Sequence, residues 1–336
     1  MTEAGSSGGV VVEFVDWLRA LASGDGSDLH VKVNSPPMIR VRGELRRSTR
    51  PPLTPEEMAA LAEAVVPVNR RPRFEDDGEV DFAHSVPGVG RFRANVFLQR
   101  GSVSMVLRKL RTGGPSLEEI GLPEIVSKLA DKPRGLVLVT GPTGSGKTTT
   151  LAAMIEHINC TRPVHIVTIE DPIEVLHADK MASVNQREVG QDSKTFLSAL
   201  RAALRQDPDV ILIGEMRDPE TVRAGLQAAE TGHLVLSTLH TTDATETVNR
   251  ILDFFPAHQQ QQVRFTLAGA LRGIICQRLV PGLGRDRVPC LEVCVNNGRI
   301  AERITKPEIT SEIQEIIEQG GATGCGRSIS PWSNWS

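Results

Sequence analysis

The octapeptide Gly141-Pro-Thr-Gly-Ser-Gly-Lys-Thr148 stands one residue, Thr140, after the apolar run Leu136-Val-Leu-Val139 and directly before a stretch of helical character. No other feature constrains the chain as tightly. It fills every fixed position of G-x-x-x-x-G-K-[ST], and the strand before it and helix after it are the context that pattern requires. A chance glycine-rich turn would have no reason to carry both flanks. The glycines let successive backbone N–H groups turn inward around phosphate oxygens, and the helix N-terminus adds a favourable dipole. Lys147 is placed to reach β- and γ-phosphate oxygens, and Thr148 offers a hydroxyl to Mg²⁺. The predicted phosphate cradle therefore comprises Gly141, Pro142, Thr143, Gly144, Ser145, Gly146, Lys147, Thr148 and Thr149, with ATP and Mg²⁺ as its cofactors.

Such a loop by itself predicts binding, so hydrolysis has to come from acids that reach the γ-phosphate, the metal and a water. Two places qualify. Ile169-Glu-Asp-Pro-Ile-Glu174 follows the next predicted strand, and Glu215 ends the apolar run Val210-Ile-Leu-Ile-Gly214. Parallel strands deliver residues to a ligand crevice at their carboxyl ends, where both clusters lie. Glu215 suits a metal site, held to Mg²⁺ through water, and either Glu170 or Glu174 suits the base that deprotonates a water. The competing structural reading has these acids capping helices or pairing with arginines. A third strand end, Leu234-Val-Leu-Ser-Thr-Leu-His240, places His240 and Thr241 where they could sense a γ-phosphate, although a single histidine is more often a structural residue.

Short β-rich runs at 135–140, 164–170, 209–214 and 234–240 alternate with helical stretches, the pattern of a parallel sheet covered by helices. The region 243–280 reads as helical. Earlier in the chain, Thr54-Pro-Glu-Glu57 has the form of a capping box before Met58, Leu61 and Val65. An amphipathic stretch runs from Val10 to Leu21, and the runs 29–33, 38–45, 79–86, 91–100 and 102–109 read as strands of an antiparallel sheet. Arg111-Thr-Gly-Gly-Pro115 breaks both periodicities, and Ser116-Leu-Glu-Glu119 is a second capping box that predicts a helix. The expected organisation is a small α+β domain over 1–110, a linker at 111–115, an α/β domain over 116–320 and an atypical tail at 321–336.

Composition excludes several classes. Of 336 residues 40% are hydrophobic and 24% charged, so a core of ordinary size can form, and a net charge of −3 gives no global field for nucleic acid. The longest apolar runs fall far short of the roughly 20 residues of a spanning helix, and Met1–Gly9 has no signal-peptide character. A cytoplasmic protein is expected. Cys160, Cys276, Cys290, Cys294 and Cys325 form no C-x-x-C pair, which argues against a disulfide framework or zinc.

Together these motifs resemble the secretion ATPase superfamily. Its acidic box is matched by Thr168–Glu174, its second acidic motif by Asp207-Pro-Asp-Val-Ile-Leu-Ile-Gly-Glu-Met-Arg-Asp218 and its histidine box by Thr231–His240. Ser27-Asp-Leu-His30, Pro37–Gly43 and Arg91-Phe-Arg-Ala-Asn95 resemble the PAS-like domain of type IV pilus retraction ATPases. The resemblance implies a RecA-like P-loop ATPase core preceded by that PAS-like domain. It further implies a homo-hexamer, with Glu174 as general base, Glu215 as the metal-associated acid and His240 in the catalytic site. Arg93 and Arg108 match the arginines that complete the site in that family. The implied partner is an inner-membrane pilus platform protein, with peripheral membrane association and no nucleic acid. The short connection from Gln277-Arg-Leu279 to Val288–Cys294 lacks the four-cysteine insertion of pilus assembly and type II secretion ATPases.

Two stretches depart from the pattern. Arg299-Ile-Ala-Glu-Arg-Ile-Thr-Lys-Pro-Glu308 stands where retraction ATPases carry Ala-Ile-Arg-Asn-Leu-Ile-Arg-Glu, and Pro307 interrupts or restarts a helix there. The ending Ser328–Ser336 replaces an amphipathic helix. A shifted reading frame over 327–336 permits Phe-Asp-Gln-Ser-Leu-Val-Gln-Leu-Val, so a frameshift is one origin of this tail, which resequencing or the intact mass of native protein decides. The alternatives are a pilus assembly, type II secretion or DNA-transfer motor of the same superfamily and, from another class, a nucleotide-dependent regulatory module without turnover.

Overall fold

The computed structural model describes residues 4–282, 287–319 and 326–329. The atypical tail at 321–336 lies outside the described residues apart from the backbone of 326–329. The chain divides into two compact units, Met1–Arg111 and Thr112–Ser336.

The first unit begins with α1 (Ala4–Ser23), which buries Val10, Phe14, Leu18 and Leu21 on one stripe. Next come β1 (Gly26–Lys32), β2 (Met38–Val41) and β3 (Glu44–Arg47). The single strand expected over 38–45 is thus a hairpin, because Arg42 (φ 50°) and Gly43 (φ 88°) turn the chain back. α2 (Pro55–Val65) starts at the predicted capping box: Thr54 Oγ1 accepts from Glu57 N–H at 3.2 Å, and Glu57 accepts from Thr54 N–H at 2.8 Å. After α3 (Arg71–Asp77), the strands β4 (Glu79–Val86), β5 (Gly90–Gln99) and β6 (Ser102–Lys109) complete an antiparallel sheet of order β3-β2-β1-β6-β5-β4.

The two-residue strand β7 (Arg111–Thr112) spans the division. Beyond it the Ser116 box forms, Glu119 N–H donating to Ser116 Oγ at 3.1 Å, but no helix follows it directly. Gly121 takes φ 69° and Pro123 follows, so the first helix of this unit is α4 (Glu124–Ala130). The core is then β8 (Gly135–Thr140), α5 (Lys147–Thr161), β9 (His165–Glu170), the two-residue β10 (Val175–Leu176), β11 (Ser183–Glu188), α6 (Phe196–Ala203), β12 (Val210–Ile213), α7 (Pro219–Glu230) and β13 (Leu234–Leu239).

Two helices, α8 (Ala244–Asp253) and α9 (Ala257–Ala270), follow, but the helical reading of 243–280 fails past Ala270. Residues Leu271–Pro281 form β14, parallel to β8, and β15 (Arg287–Val295) pairs antiparallel with it. Its middle, Gly273–Gln277, is buried on both faces, Ile274 and Cys276 entering one apolar cluster and Ile275 the other, so it shows no alternation. α10 (Gly298–Thr305) ends two residues before Pro307, a 3₁₀ segment covers Pro307–Glu312, and α11 (Ile313–Glu318) and the edge strand β16 (Gly326–Ile329) complete the description.

The sheet order is β11-β9-β12-β13-β8-β14-β15-β16. β8 lies inside it, all six residues buried, with Leu136 and Leu138 entering one apolar cluster and Val137 and Val139 the other. Helices therefore cover both faces, and the carboxyl end of β8 opens on the Gly141 loop.

Candidate active site

β8 delivers its chain into a loop that only glycine can follow in three places: Gly141 at φ 144°, Gly144 at 78° and Gly146 at 87°. Lys147 opens α5 and is buried. Its Nζ donates to the carbonyls of Gly141 at 2.8 Å and Pro142 at 3.0 Å. Burial pushes the Lys147 pKa down, and the carboxylate of Glu215 opposes that shift. A cavity of about 690 Å³ opens beside this loop, and Lys147, Thr148, Glu170, Glu174, Glu215 and His240 all line it. Thr143, Gly144, Gly146 and Thr149 also face the cavity, while Pro142 is exposed and Gly141 and Ser145 are buried behind it.

Glu215 lies just past the end of β12. Ser237 Oγ donates to Ile213 O and Thr238 Oγ1 to Gly214 O, both at 2.7 Å, so hydroxyls of β13 hold the turn that carries it. Its Oε2 pairs with Arg217 at 2.7 Å and its Oε1 meets His240 Nε2 at 3.3 Å. Burial pushes the Glu215 pKa up, but Arg217 and His240 prevail and hold it below the ordinary carboxylate value.

The two acids left open by the sequence occupy different environments. Glu170, at the end of β9, is buried and accepts from Thr168 Oγ1 at 2.7 Å and Gln186 Nε2 at 3.2 Å. The backbone N–H of Glu174 also donates to it, yet burial dominates and raises its pKa. Glu174 is exposed to the same cavity. A carboxylate that takes a proton from water needs that access.

Arg93 and Arg108 belong to the first unit, paired in register across β5 and β6. Arg108 Nε donates to Asp28 Oδ1 at 2.8 Å, and Arg93 lies 3.9 Å from Asp81. Ser27 and Arg108 hold the Asp28 pKa down against its burial, which pushes it up.

Sequence reasoning missed two residues. Arg217 lies within the quoted acidic motif, but nothing in the spacing says that it turns back to Glu215. Gln277 was hidden inside a run read as helix. It is 3% exposed, accepts from Thr150 Oγ1 at 2.6 Å and donates from Nε2 to Ser145 O at 2.8 Å.

A glycine-rich loop between an inner parallel strand and its helix, with acids at neighbouring strand ends, defines a P-loop protein of the α/β class. The chain belongs to the type II/IV secretion system protein family, whose pattern it matches over residues 27–330. Within that family it is 45% identical to the type IV pilus retraction ATPase PilT of Pseudomonas aeruginosa, over 93% of this chain and 91% of that one. It is 47% identical to a twitching motility protein of Neisseria gonorrhoeae, over 86% of this chain and 77% of that one. A crystal structure of the pilus retraction motor PilT with bound ADP superposes with a TM-score of 0.83 at 48% identity, covering 92% of this chain and 89% of that chain. The resemblance to pilus retraction ATPases, and the α/β fold it implies, are thereby borne out. No helix among the described residues is long and apolar enough to cross a membrane.

Proposed function

We propose that this chain is an ATP-hydrolysing motor of type IV pilus retraction. It works as a homo-hexamer at the cytoplasmic face of the inner membrane and acts on the pilus platform protein. The observation that carries the reading is the gathering of Lys147, Thr148, Glu174, Glu215 and His240 around one cavity in a chain similar to retraction ATPases over nearly its full length.

The β- and γ-phosphates of ATP lie on the Gly141–Thr148 loop, where inward N–H groups and Lys147 neutralise their charge. Thr148 and Glu215 line the same cavity with hard oxygen donors, the type Mg²⁺ prefers, and would hold that ion there. Bound there, it would supply positive charge against that of the phosphates. Glu174 takes a proton from the attacking water, and ADP and phosphate leave. His240 reports the γ-phosphate to Glu215 and to α8. By the family resemblance, Arg93 and Arg108 would help to neutralise the charge that develops on the transferred phosphoryl group. The nucleoside end extends into an adjoining cavity of about 490 Å³, lined by Ile120, Leu122, Thr149, Leu279 and Pro289.

Steady-state ATP hydrolysis tests this reading, with wild type beside Lys147→Ala and Glu215→Ala and the particle mass measured on the same samples. Mg²⁺-dependent turnover by a six-subunit particle, lost in both variants, is the expected result. A folded wild type that binds ATP without turnover would replace the motor by a regulatory module.

A further inference from the structure

We infer that Gln277 is a positioning residue for the phosphate loop, its carboxamide setting the direction in which the Gly146 N–H points. The inference rests on the reading of that loop as a nucleotide site. Gln277 sits on β14, between the buried Cys276 and the half-exposed Leu279 two residues on, where an apolar side chain would be the simple choice. A buried amide must have both ends satisfied, and here both partners belong to the loop and its helix. Oε1 accepts from Thr150 Oγ1 in the first turn of α5, and Nε2 donates to Ser145 O within the loop. Only this orientation serves both, because a carbonyl such as Ser145 O requires a donor.

The consequence lies in the peptide unit. A trans peptide places its C=O and N–H on opposite sides. With Ser145 C=O fixed toward Gln277, the N–H of Gly146 is directed away from β14. Two of the loop's glycines record how closely Gln277 approaches. A Cβ at Gly146 would lie 2.8 Å from Gln277 Nε2, and a Cβ at Gly141 would lie 2.2 Å from the Gln277 backbone oxygen. The loop is thus seated against one residue by its main chain at one end and its side chain at the other. Without the amide, the Ser145–Gly146 peptide is free to rotate and a donor to the phosphates is lost.

The test uses the full chain, with fluorescent ADP as probe and the melting temperature measured without nucleotide. Gln277→Met keeps length and volume but makes no amide hydrogen bonds. It is expected to weaken ADP binding by about tenfold, the scale of one strong buried hydrogen bond, and to lower the melting temperature by only a few degrees, for the bonds lost to Ser145 O and Thr150 Oγ1. Thr150→Val, which removes one of the two bonds, should weaken it by roughly threefold, and Thr150→Ser should bind as wild type. ADP affinity within twofold of wild type in Gln277→Met overturns the inference. If Gln277→Met does not fold, the Thr150 pair decides: equal affinities in Thr150→Val and Thr150→Ser overturn it. A wild type that binds no ADP would instead sink the nucleotide reading and not the clasp alone.

Discussion

His240 Nε2 lies 3.3 Å from Glu215 Oε1, a contact made because β12 and β13 are parallel neighbours whose carboxyl ends release the two residues side by side. Arg217 holds the other carboxylate oxygen at 2.7 Å, so Glu215 keeps a cationic partner when the imidazole is gone. His240→Ala is therefore expected to leave ATP affinity within a few-fold of wild type and to lower kcat by about 10–100-fold, through lost orientation of the acid. His240→Gln, which can still donate a hydrogen bond, should recover part of that loss. Single-turnover kinetics beside equilibrium binding make the comparison, and an unchanged kcat in His240→Ala would remove His240 from the mechanism.

The contrast between Glu170 and Glu174 yields a prediction with two readouts. Glu174→Gln should lower turnover by about 100-fold or more while ATP still binds, and Glu170→Gln should change turnover little. Stability moves the other way. The folded-state pKa of Glu170 is raised above its ordinary value of 4.5, so the folded protein keeps this carboxyl ionised only at a cost as pH rises past that value. Gln retains the oxygen that accepts from Thr168 and Gln186 and removes the charge. At pH 7 Glu170→Gln should melt about 2 °C higher, a gain that disappears as pH falls below 4.5, where both forms are neutral. The opposite turnover pattern would assign the base to Glu170.

Gly141 combines φ 144° with a main-chain approach that leaves no room for a Cβ. Gly141→Ala should cost about 1–3 kcal/mol from backbone strain alone and abolish ADP binding, because the loop must leave β14 to accommodate it. Urea unfolding and nucleotide titration on the same sample test this. A variant that binds ADP normally would show the loop to be more tolerant than its seat on Gln277 implies.

Arg264 on α9 ties down the stretch around Pro307. It is 8% exposed, and it donates to Ile304 O at 2.8 Å and to Thr310 Oγ1 at 3.0 Å. Burial lowers its pKa, with Glu308 opposing. Arg264→Met should cost about 1.5–3 kcal/mol, the range for a charge-assisted hydrogen bond, and speed amide exchange across α10 and the Pro307 segment. ADP affinity should be unaffected. Unchanged exchange in that stretch would show that the apolar contacts of Ile300 and Ile304 hold it without the arginine.

How much was legible follows from where the determining partners lie in the chain. α2 was legible because its start is written in four consecutive residues, Thr54 to Glu57, and its buried face in the next eight. The phosphate loop was legible for the same reason, and Glu215 and His240 because each ends an unmistakable apolar strand. β14 was not, since enclosure on both faces erases the alternation that marks a strand, and its pairing with β8 is a long-range event. The hinge between β2 and β3 needed the positive φ of Arg42, a residue with no special preference for it. The Ser116 box was read correctly as a cap but not as one whose helix is stopped at Gly121. Gln277 fell with β14: its meaning comes from Ser145 and Thr150, which spacing along the chain does not connect to it.

The central claim is tested most directly by watching labelled pili on a type IV-piliated host whose own retraction ATPase gene is deleted, with this chain supplied as wild type or as Glu174→Gln at matched levels. The account predicts retraction events with wild type and none with Glu174→Gln. Wild-type protein that hydrolyses ATP in vitro as a six-subunit particle, is present in those cells and retracts no pilus would contradict it.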